Sequence, residues 1–244
     1  MKIRSPDSDI YFILLHHATR IKCKVYFDTG SGNKRRLLNV SKIAEEYGEK
    51  QCAALLGFHA YTGSDTTSSF KGIGKLRPLK FLQKNEEYID AMSKLGDSWD
   101  VSTAVENQLE AFTCALYGSS KTTSVNLLRL QIMQKKCDFK HAIDPKKTID
   151  LATLPPCLKS LTQHIKRANY QTAIWKSAQL QFPEVPAAEL HGWVTGPAGL
   201  EPVWCDGDVL PSELIDVLED WEDPDSEVEN LSEDVNLSDD SDSE

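Results

Sequence analysis

The stretch LLGFHAYTGSDTTSSFKGIGKLRPLKFLQ, residues 55–83, decides the fold expected for this chain. It begins with apolar residues at helical spacing, which predict a buried helix. A Gly-rich turn and a polar loop with one carboxylate, Asp65, follow. A second turn, Gly72-Ile73-Gly74, then opens onto a basic helix. The stretch therefore predicts two helices joined by a loop that carries polar and charged groups.

The second turn has the composition of a phosphate-binding loop. Gly72 and Gly74, on either side of Ile73, allow the backbone to turn sharply or to approach a ligand closely. The N–H groups at the start of the following helix attract anions, and Lys71, Lys75 and Arg77 surround that helix start. Because Gly-x-Gly also occurs in ordinary loops, this interpretation depends on the rest of the chain.

Two further carboxylates lie near the start of the sequence, in Ser5-Pro6-Asp7-Ser8-Asp9. Ile3 and Arg4 before them are typical of a strand, and the apolar residues after them of a short helix. Ligands of open α/β sheets bind beyond the carboxyl ends of the strands, so Asp7 and Asp9 are candidate site residues. A helix cap is the alternative role for an Asp-x-Asp pair.

These motifs together resemble the flap endonuclease, or XPG-type, family of 5′ nucleases, whose catalytic domain has a PIN-like fold. In that family a Leu-Leu-Gly helix, a Gly-x-Asp, a Gly-Ile-Gly turn and a helix follow in this order, after a Ser-x-Asp-x-Asp strand end. Uncharacterised animal proteins with PIN-like domains share the pattern. The resemblance covers residues 1–95, with the helix-turn-helix at 55–83.

The resemblance implies an α/β fold, namely a partial three-layer PIN-like domain with a mostly parallel sheet. It implies that Asp7, Asp9 and Asp65 are catalytic ligands of Mg²⁺ or Mn²⁺, in keeping with the preference of these ions for oxygen. It also implies that the Gly72–Gly74 turn holds a monovalent cation and the backbone of nucleic acid, DNA rather than RNA. Lys71, Lys75 and Arg77 complete the expected nucleic-acid contacts.

The chain departs from the family in its acidic residues. The family has further acids before this point, on its first strand and in a Glu-x-Glu helix, whereas this sequence begins six residues before Asp7. We therefore expect either a piece of a longer protein or a degenerate relative that is inactive by itself. Three functions stay open: a metal-dependent structure-specific nuclease, a catalytically dead DNA- or RNA-binding module, and a protein-interaction scaffold with an acidic tail.

The net charge of −10 is unevenly distributed along the 244 residues. Residues 213–244 contain 15 of the 37 acidic residues and no Lys or Arg, which leaves a body with 22 acidic and 27 basic residues, about +5. A basic body suits a polyanionic partner, and the tail suits a basic protein. The tail lacks the apolar residues that would offset the entropy of ordering, so it is predicted to be disordered.

The remaining sequence predicts a helical region over 96–181 and a small segment with Pro and Trp over 182–212. The six cysteines are scattered without a C-x-x-C pair, which favours reduced thiols. The N-terminal apolar run is too short for a secretory signal, and no later run is long enough to span a bilayer. We therefore expect a nuclear or cytoplasmic protein that is not secreted and has no membrane partner.

Overall fold

The strands at the start of the chain form a three-stranded sheet in a computed structural model that describes residues 1–119, 121–136, 150–205 and 207. Strand β1 is Lys2–Arg4, β2 is Tyr26–Thr29 and β3 is Arg36–Asn39, in the order β1-β2-β3. Strands β1 and β2 are parallel, with Ile3 opposite Phe27, and β2 and β3 are antiparallel. The fold is mixed α/β, as predicted, and β2 and β3 form the hairpin that the turn residues from Asp28 to Asn33 predict.

The expected mostly parallel sheet is not found in the described part of the chain, where one pairing is parallel and one antiparallel. The connections explain the difference. A helix connects β1 to β2 and allows a parallel crossover, whereas the short turn between β2 and β3 reverses the chain and forces an antiparallel pair. The assignment to the PIN-like fold stays a prediction.

Seven α-helices account for about half of the described residues, and a second hairpin follows them. The helices are α1 Ser8–His17, α2 Val40–Tyr61, α3 Leu76–Leu82, α4 Glu86–Lys94, α5 Thr103–Leu116, α6 Val125–Lys136 and α7 Leu158–Lys176. Strands β4 Trp193–Gly196 and β5 Gly199–Pro202 form the hairpin. Within the described ranges no helix has the length and apolar character needed to cross a membrane. The predicted acidic tail, 213–244, lies outside the described residues.

Helix α2 contains the first part of the 55–83 stretch and begins after Asn39, which the sequence offers, together with Ser41, as a candidate N-cap. The Asn39 side chain caps it by accepting a hydrogen bond from the N–H of Lys42 at 3.1 Å. Gly48, at φ 77°, interrupts the helical backbone and changes its direction, which only glycine does at low cost. The helix therefore has two segments, in agreement with the sequence pattern, which predicts one helix that ends at Tyr47 and another from Gln51 to Tyr61.

The second segment of α2 links two hydrophobic clusters. Its Leu55 and Cys52 pack in a cluster with the sheet and α1, whereas Leu56, Phe58 and Tyr61 pack in a cluster with the later helices. The segment is buried from Ala54 to Tyr61. The sheet and the helical region thus share one continuous core through α2.

We expect Gly57→Ala to destabilise the protein by about 1–3 kcal/mol through overpacking. Helix α4 lies so close that a Cβ at Gly57 would meet the carbonyl oxygen of Met92 at 2.2 Å. Urea denaturation measures the free energy of unfolding. Gly74→Ala is the control because no atom lies within 4 Å of its added Cβ, and equal stability of the two variants would contradict the close packing of α2 on α4.

A buried carboxylate joins the three strands of the first sheet. Asp28, on β2, forms ion pairs with Lys2 of β1 at 3.0 Å and with Arg35 at 2.6 Å, just before β3. Hydrogen bonds from Arg35 and Lys2 hold the pKa of Asp28 well below its usual range. Lys2 and Arg35 thereby tie both edge strands to β2.

The low pKa of Asp28 makes the stability of the sheet dependent on pH. Because its folded-state pKa is depressed, this contribution is present above its ordinary value of 3.8 and is lost as the pH falls toward the folded-state value. Arg35→Met should therefore lower the thermal midpoint at pH 7, and the difference from the unsubstituted protein should shrink below about pH 4. A pH-independent difference would contradict this role.

Candidate metal centre

Asp7 lies where β1 has ended and α1 begins. Its Oδ1 accepts a hydrogen bond from the N–H of Asp9 at 2.8 Å, so Asp7 is the N-cap of α1. Its own N–H donates to the hydroxyl of Ser5 at 3.1 Å. The helix-cap interpretation is therefore correct, and it leaves the second carboxylate oxygen of Asp7 available to a ligand.

Asp9 lies in the first turn of α1 and is held by a histidine. Its Oδ1 is 2.7 Å from Nε2 of His59, near the end of α2, and the two side chains are 14% and 3% exposed. A carboxylate fixed by a hydrogen bond on one oxygen presents the other in a defined direction. Asp9 is thus oriented by a residue fifty positions away in sequence.

Asp65 comes from the loop that follows α2. Gly63, at φ 109°, lets this loop fold back so tightly that a Cβ there would meet the Cβ of Ser69 at 2.7 Å. Thr67 fixes the loop by donating its hydroxyl hydrogen to the carbonyl of Ala60 at 2.6 Å. The loop presents Asp65 to solvent on the side of α1 that carries the other two carboxylates.

The three aspartates converge. One oxygen from each of Asp7, Asp9 and Asp65 lies within 4.8 Å of the others. Within the described residues, no hydrogen bond reaches the Oδ2 atoms of Asp7 and Asp9, whose Oδ1 atoms are already used. Oxygen donors with this arrangement fit a hard divalent cation such as Mg²⁺ or Mn²⁺, which would also relieve the repulsion between the carboxylates.

Lys75 and His59 form a chain of hydrogen bonds beneath this cluster. Lys75 Nζ donates to Nδ1 of His59 at 2.7 Å, to the carbonyl of His59 at 3.3 Å and to the carbonyl of Gly63. Because Nδ1 accepts the hydrogen bond from Lys75, the hydrogen of the neutral imidazole is on Nε2. Nε2 therefore donates a hydrogen bond to Oδ1 of Asp9. Burial lowers the pKa of His59, against the opposing hydrogen bond to Asp9, and burial lowers the pKa of Lys75 to about 8.

Two of the three carboxylates, Asp9 and Asp65, border a cleft of about 430 Å³ whose lining also includes Ile73, Gly74 and Lys75. We call it the carboxylate cleft. Gly74 is exposed, and its position has open space around it. The structure therefore brings part of the Gly-Ile-Gly turn next to the acidic cluster.

The other predicted nucleic-acid contacts lie outside the carboxylate cleft. Gly72 is exposed at φ 75°, Lys71 pairs with Asp150 at 2.7 Å, and Arg77 borders a different cavity. The ammonium of Lys75 makes three hydrogen bonds to protein groups and has no N–H left for a phosphate. Helix α3 has seven residues, and no side chain caps its start.

His59 is the site residue that sequence reasoning left out. The sequence favours packed or hydrogen-bonded roles for His16, His17 and His59 over metal ligation, and His59 is indeed buried and stacked on Phe12 with ring centroids 4.2 Å apart. Its contact with Asp9 depends on the packing of α1 against α2. No local motif indicates that contact.

Comparisons with protein-family models, with curated proteins and with solved structures found no match. The resemblance to 5′ nucleases therefore rests on the sequence motifs themselves. The convergence of the three aspartates is a separate geometric observation.

We expect Mg²⁺ or Mn²⁺ to raise the thermal midpoint of the protein, because an ion that binds the folded state stabilises it by mass action. Asp65→Ala should remove most of that gain, because the substitution removes one of the three carboxylates that would bind the ion. Differential scanning fluorimetry with and without the ion measures both. Asp100→Ala, at another exposed aspartate in a bend, should keep the full gain, and an unchanged gain in Asp65→Ala would contradict the site.

Proposed function

We propose that this protein binds nucleic acid at the carboxylate cleft through one divalent ion held by Asp7, Asp9 and Asp65. The observation that carries the proposal is the convergence of these three carboxylates within 4.8 Å, next to a glycine turn that a backbone phosphate can approach. The substrate class would be DNA, with RNA as the alternative, encountered in the nucleus or cytoplasm. The mixed α/β fold is compatible with a 5′ nuclease-like domain.

A bound Mg²⁺ or Mn²⁺ would supply charge neutralisation at a phosphate and would polarise a water molecule. The protein's part is to position its ligands. His59 holds one oxygen of Asp9, the N–H of Asp9 holds one oxygen of Asp7, and the second oxygen of each accepts no hydrogen bond from a described residue. The backbone at Gly74 is accessible to a nucleic-acid strand, because no described atom beyond its chain neighbours lies within 4 Å of the place that a Cβ would occupy.

Lys75 also contributes to this arrangement. Its ammonium ties the start of α3 to the carbonyl groups of His59 and Gly63 at the end of α2. It therefore fixes the distance between the glycine turn and the loop that carries Asp65. We assign Lys75 the role of a positioning residue for the carboxylate cleft.

Three carboxylates provide ligands for one ion and too few for two. Hydrolysis of a phosphodiester by two metal ions requires each ion to be held in register with the phosphate and the attacking water. We propose that this chain binds a divalent ion and nucleic acid with little or no turnover by itself. A nuclease of the same family type would need additional acidic ligands.

The test is the affinity for a single-strand/duplex junction DNA, measured by fluorescence anisotropy in Mg²⁺ and in EDTA. We expect tighter binding in Mg²⁺, and a roughly tenfold loss, equivalent to about 1.4 kcal/mol, in both Asp65→Ala and Gly74→Val. Asp100→Ala and Ala104→Val are matched controls at exposed positions away from the cleft. Affinity should also fall with salt, as expected for phosphate contacts.

A gel assay on flap and gapped duplexes measures cleavage in the same samples. Robust cutting that Asp7→Ala abolishes would show that three carboxylates suffice for catalysis and would overturn the inactive assignment. Absence of any salt-dependent DNA or RNA binding would overturn the nucleic-acid proposal. It would favour the third function, a protein-interaction scaffold that uses its 15 acidic residues over 213–244.

A further inference from the structure

A second cavity, of about 340 Å³, lies beside the carboxylate cleft, and Ser69 lines both. Its lining includes three basic side chains, Lys71, Arg129 and Arg167, and no Asp or Glu among the described residues. Its volume is within the range of about 300–1,000 Å³ that is usual for small-molecule sites. The charge of its lining favours an anionic ligand.

Arg167 of α7 is only 2% exposed and has unused hydrogen-bonding capacity. Its Nη1 donates to the carbonyl groups of Gly192 at 3.1 Å and Val203 at 2.5 Å. Its buried Nε has no partner, and no described carboxylate pairs with the guanidinium. Apart from these carbonyl groups, the described partners of the guanidinium are the rings of Trp193 and Trp204, so an anionic ligand would supply a counter-charge that the described residues do not.

Arg167 lines the cavity, and its Nη2 donates to no described residue, so this nitrogen is available to an oxygen of a carboxylate or phosphate. Arg129 adds a second guanidinium to the cavity, with its Nη1 donating to the carbonyl of Pro155 at 2.7 Å. Two guanidinium groups are typical of a site for an oxyanion.

His164, one helical turn before Arg167, has an unused acceptor. Its Nε2 donates to the carbonyl of Tyr61 at 2.8 Å, and its buried Nδ1 makes no hydrogen bond to any described residue. Burial lowers the pKa of His164 to about 4, so the ring is neutral at pH 7 and Nδ1 is an acceptor. His164 therefore contributes a neutral ring to the wall of the cavity and adds no charge to it.

Aromatic side chains form another part of the wall. Phe70, Tyr117 and Trp204 line the cavity, and the Trp204 side chain is 64% exposed. The guanidinium carbon of Arg167 lies 5.5 Å from the Trp204 ring centroid. Exposed aromatic rings beside cations are the elements that bind a base and its phosphate.

We propose that this cavity, the nucleotide pocket, binds one nucleotide unit. Arg167 and Arg129 take the phosphate, and Trp204 stacks on the base. The ligand is either a free mononucleotide or a terminal nucleotide of a strand. The pocket requires no metal, so it is independent of the function proposed for the carboxylate cleft.

The first test is calorimetric titration of the full-length protein with AMP, adenosine and inorganic phosphate in EDTA. AMP should bind at least tenfold more tightly than either fragment, because it uses both parts of the pocket. AMP binding should persist in Asp65→Ala, which separates this site from the carboxylate cleft. The absence of AMP binding, or phosphate affinity equal to that of AMP, would overturn the proposal.

Variants assign the binding to the pocket. Arg129→Gln should weaken AMP binding roughly tenfold. Arg167→Lys should do the same, because lysine keeps the charge and lacks the planar guanidinium group. Lys159→Gln, at an exposed position of α7 outside the pocket, should leave affinity unchanged. If Arg167→Lys reduces folding, as its ties to the hairpin would allow, Arg129→Gln decides, and unchanged affinity there would overturn the proposal.

Octathymidylates that carry a 5′-phosphate, a 3′-phosphate or no phosphate distinguish the two sources of ligand. Binding that requires one of the terminal phosphates and competes with AMP would identify the end of a strand as the ligand. Binding of AMP without any of these strands would identify a free nucleotide. Either result supports the pocket.

Discussion

The burial of the second segment of α2 is the constraint on which the other elements depend. Every side from Ala54 to Tyr61 is covered, and a helix that is apolar all round needs partners all round. Helix α1 and the sheet cover one side, while α4 and α7 cover others. Gly57 allows α4 the closest approach. The sheet and the helical region consequently form one core.

The burial of this segment also determines the position of the candidate metal centre. His59 is part of the buried segment and its side chain faces α1. Because its Nε2 is buried there, it requires a hydrogen-bond partner, which is Asp9. Lys75 satisfies the opposite nitrogen together with carbonyl groups at the end of α2. A chain of buried polar groups thus connects the core to the aspartate cluster, and each member is stabilised because its neighbour is in place.

The carboxylate cleft and the nucleotide pocket lie on either side of one loop. Residues 64–70 carry Asp65 toward the aspartates and Phe70 toward the second cavity, and Ser69 borders both. One site is acidic and suits a cation, whereas the other is basic and suits a phosphate. A nucleic-acid strand that crosses this loop would contact both the acidic and the basic side chains within a short distance.

Local sequence signals were sufficient for most of the secondary structure. The cap at Asn39, the break at Gly48, the hairpin between β2 and β3, and the helical region after residue 96 all follow from capping, turn and periodicity patterns. The expectation of a mostly parallel sheet came from the family resemblance and is not confirmed in the described residues, where the short turn after β2 gives an antiparallel partner.

The sequence by itself also singled out Asp7, Asp9 and Asp65, because their motifs are short and ordered. Only the tertiary structure decided that their oxygens converge, that Lys75 points inward, and that Lys71 and Arg77 lie elsewhere. The same holds for Arg167, which the helical pattern places on the polar side of α7 but which is buried under the β4–β5 hairpin. The physical reason is that side-chain direction and burial depend on contacts between residues far apart in the chain, and no local pattern encodes them.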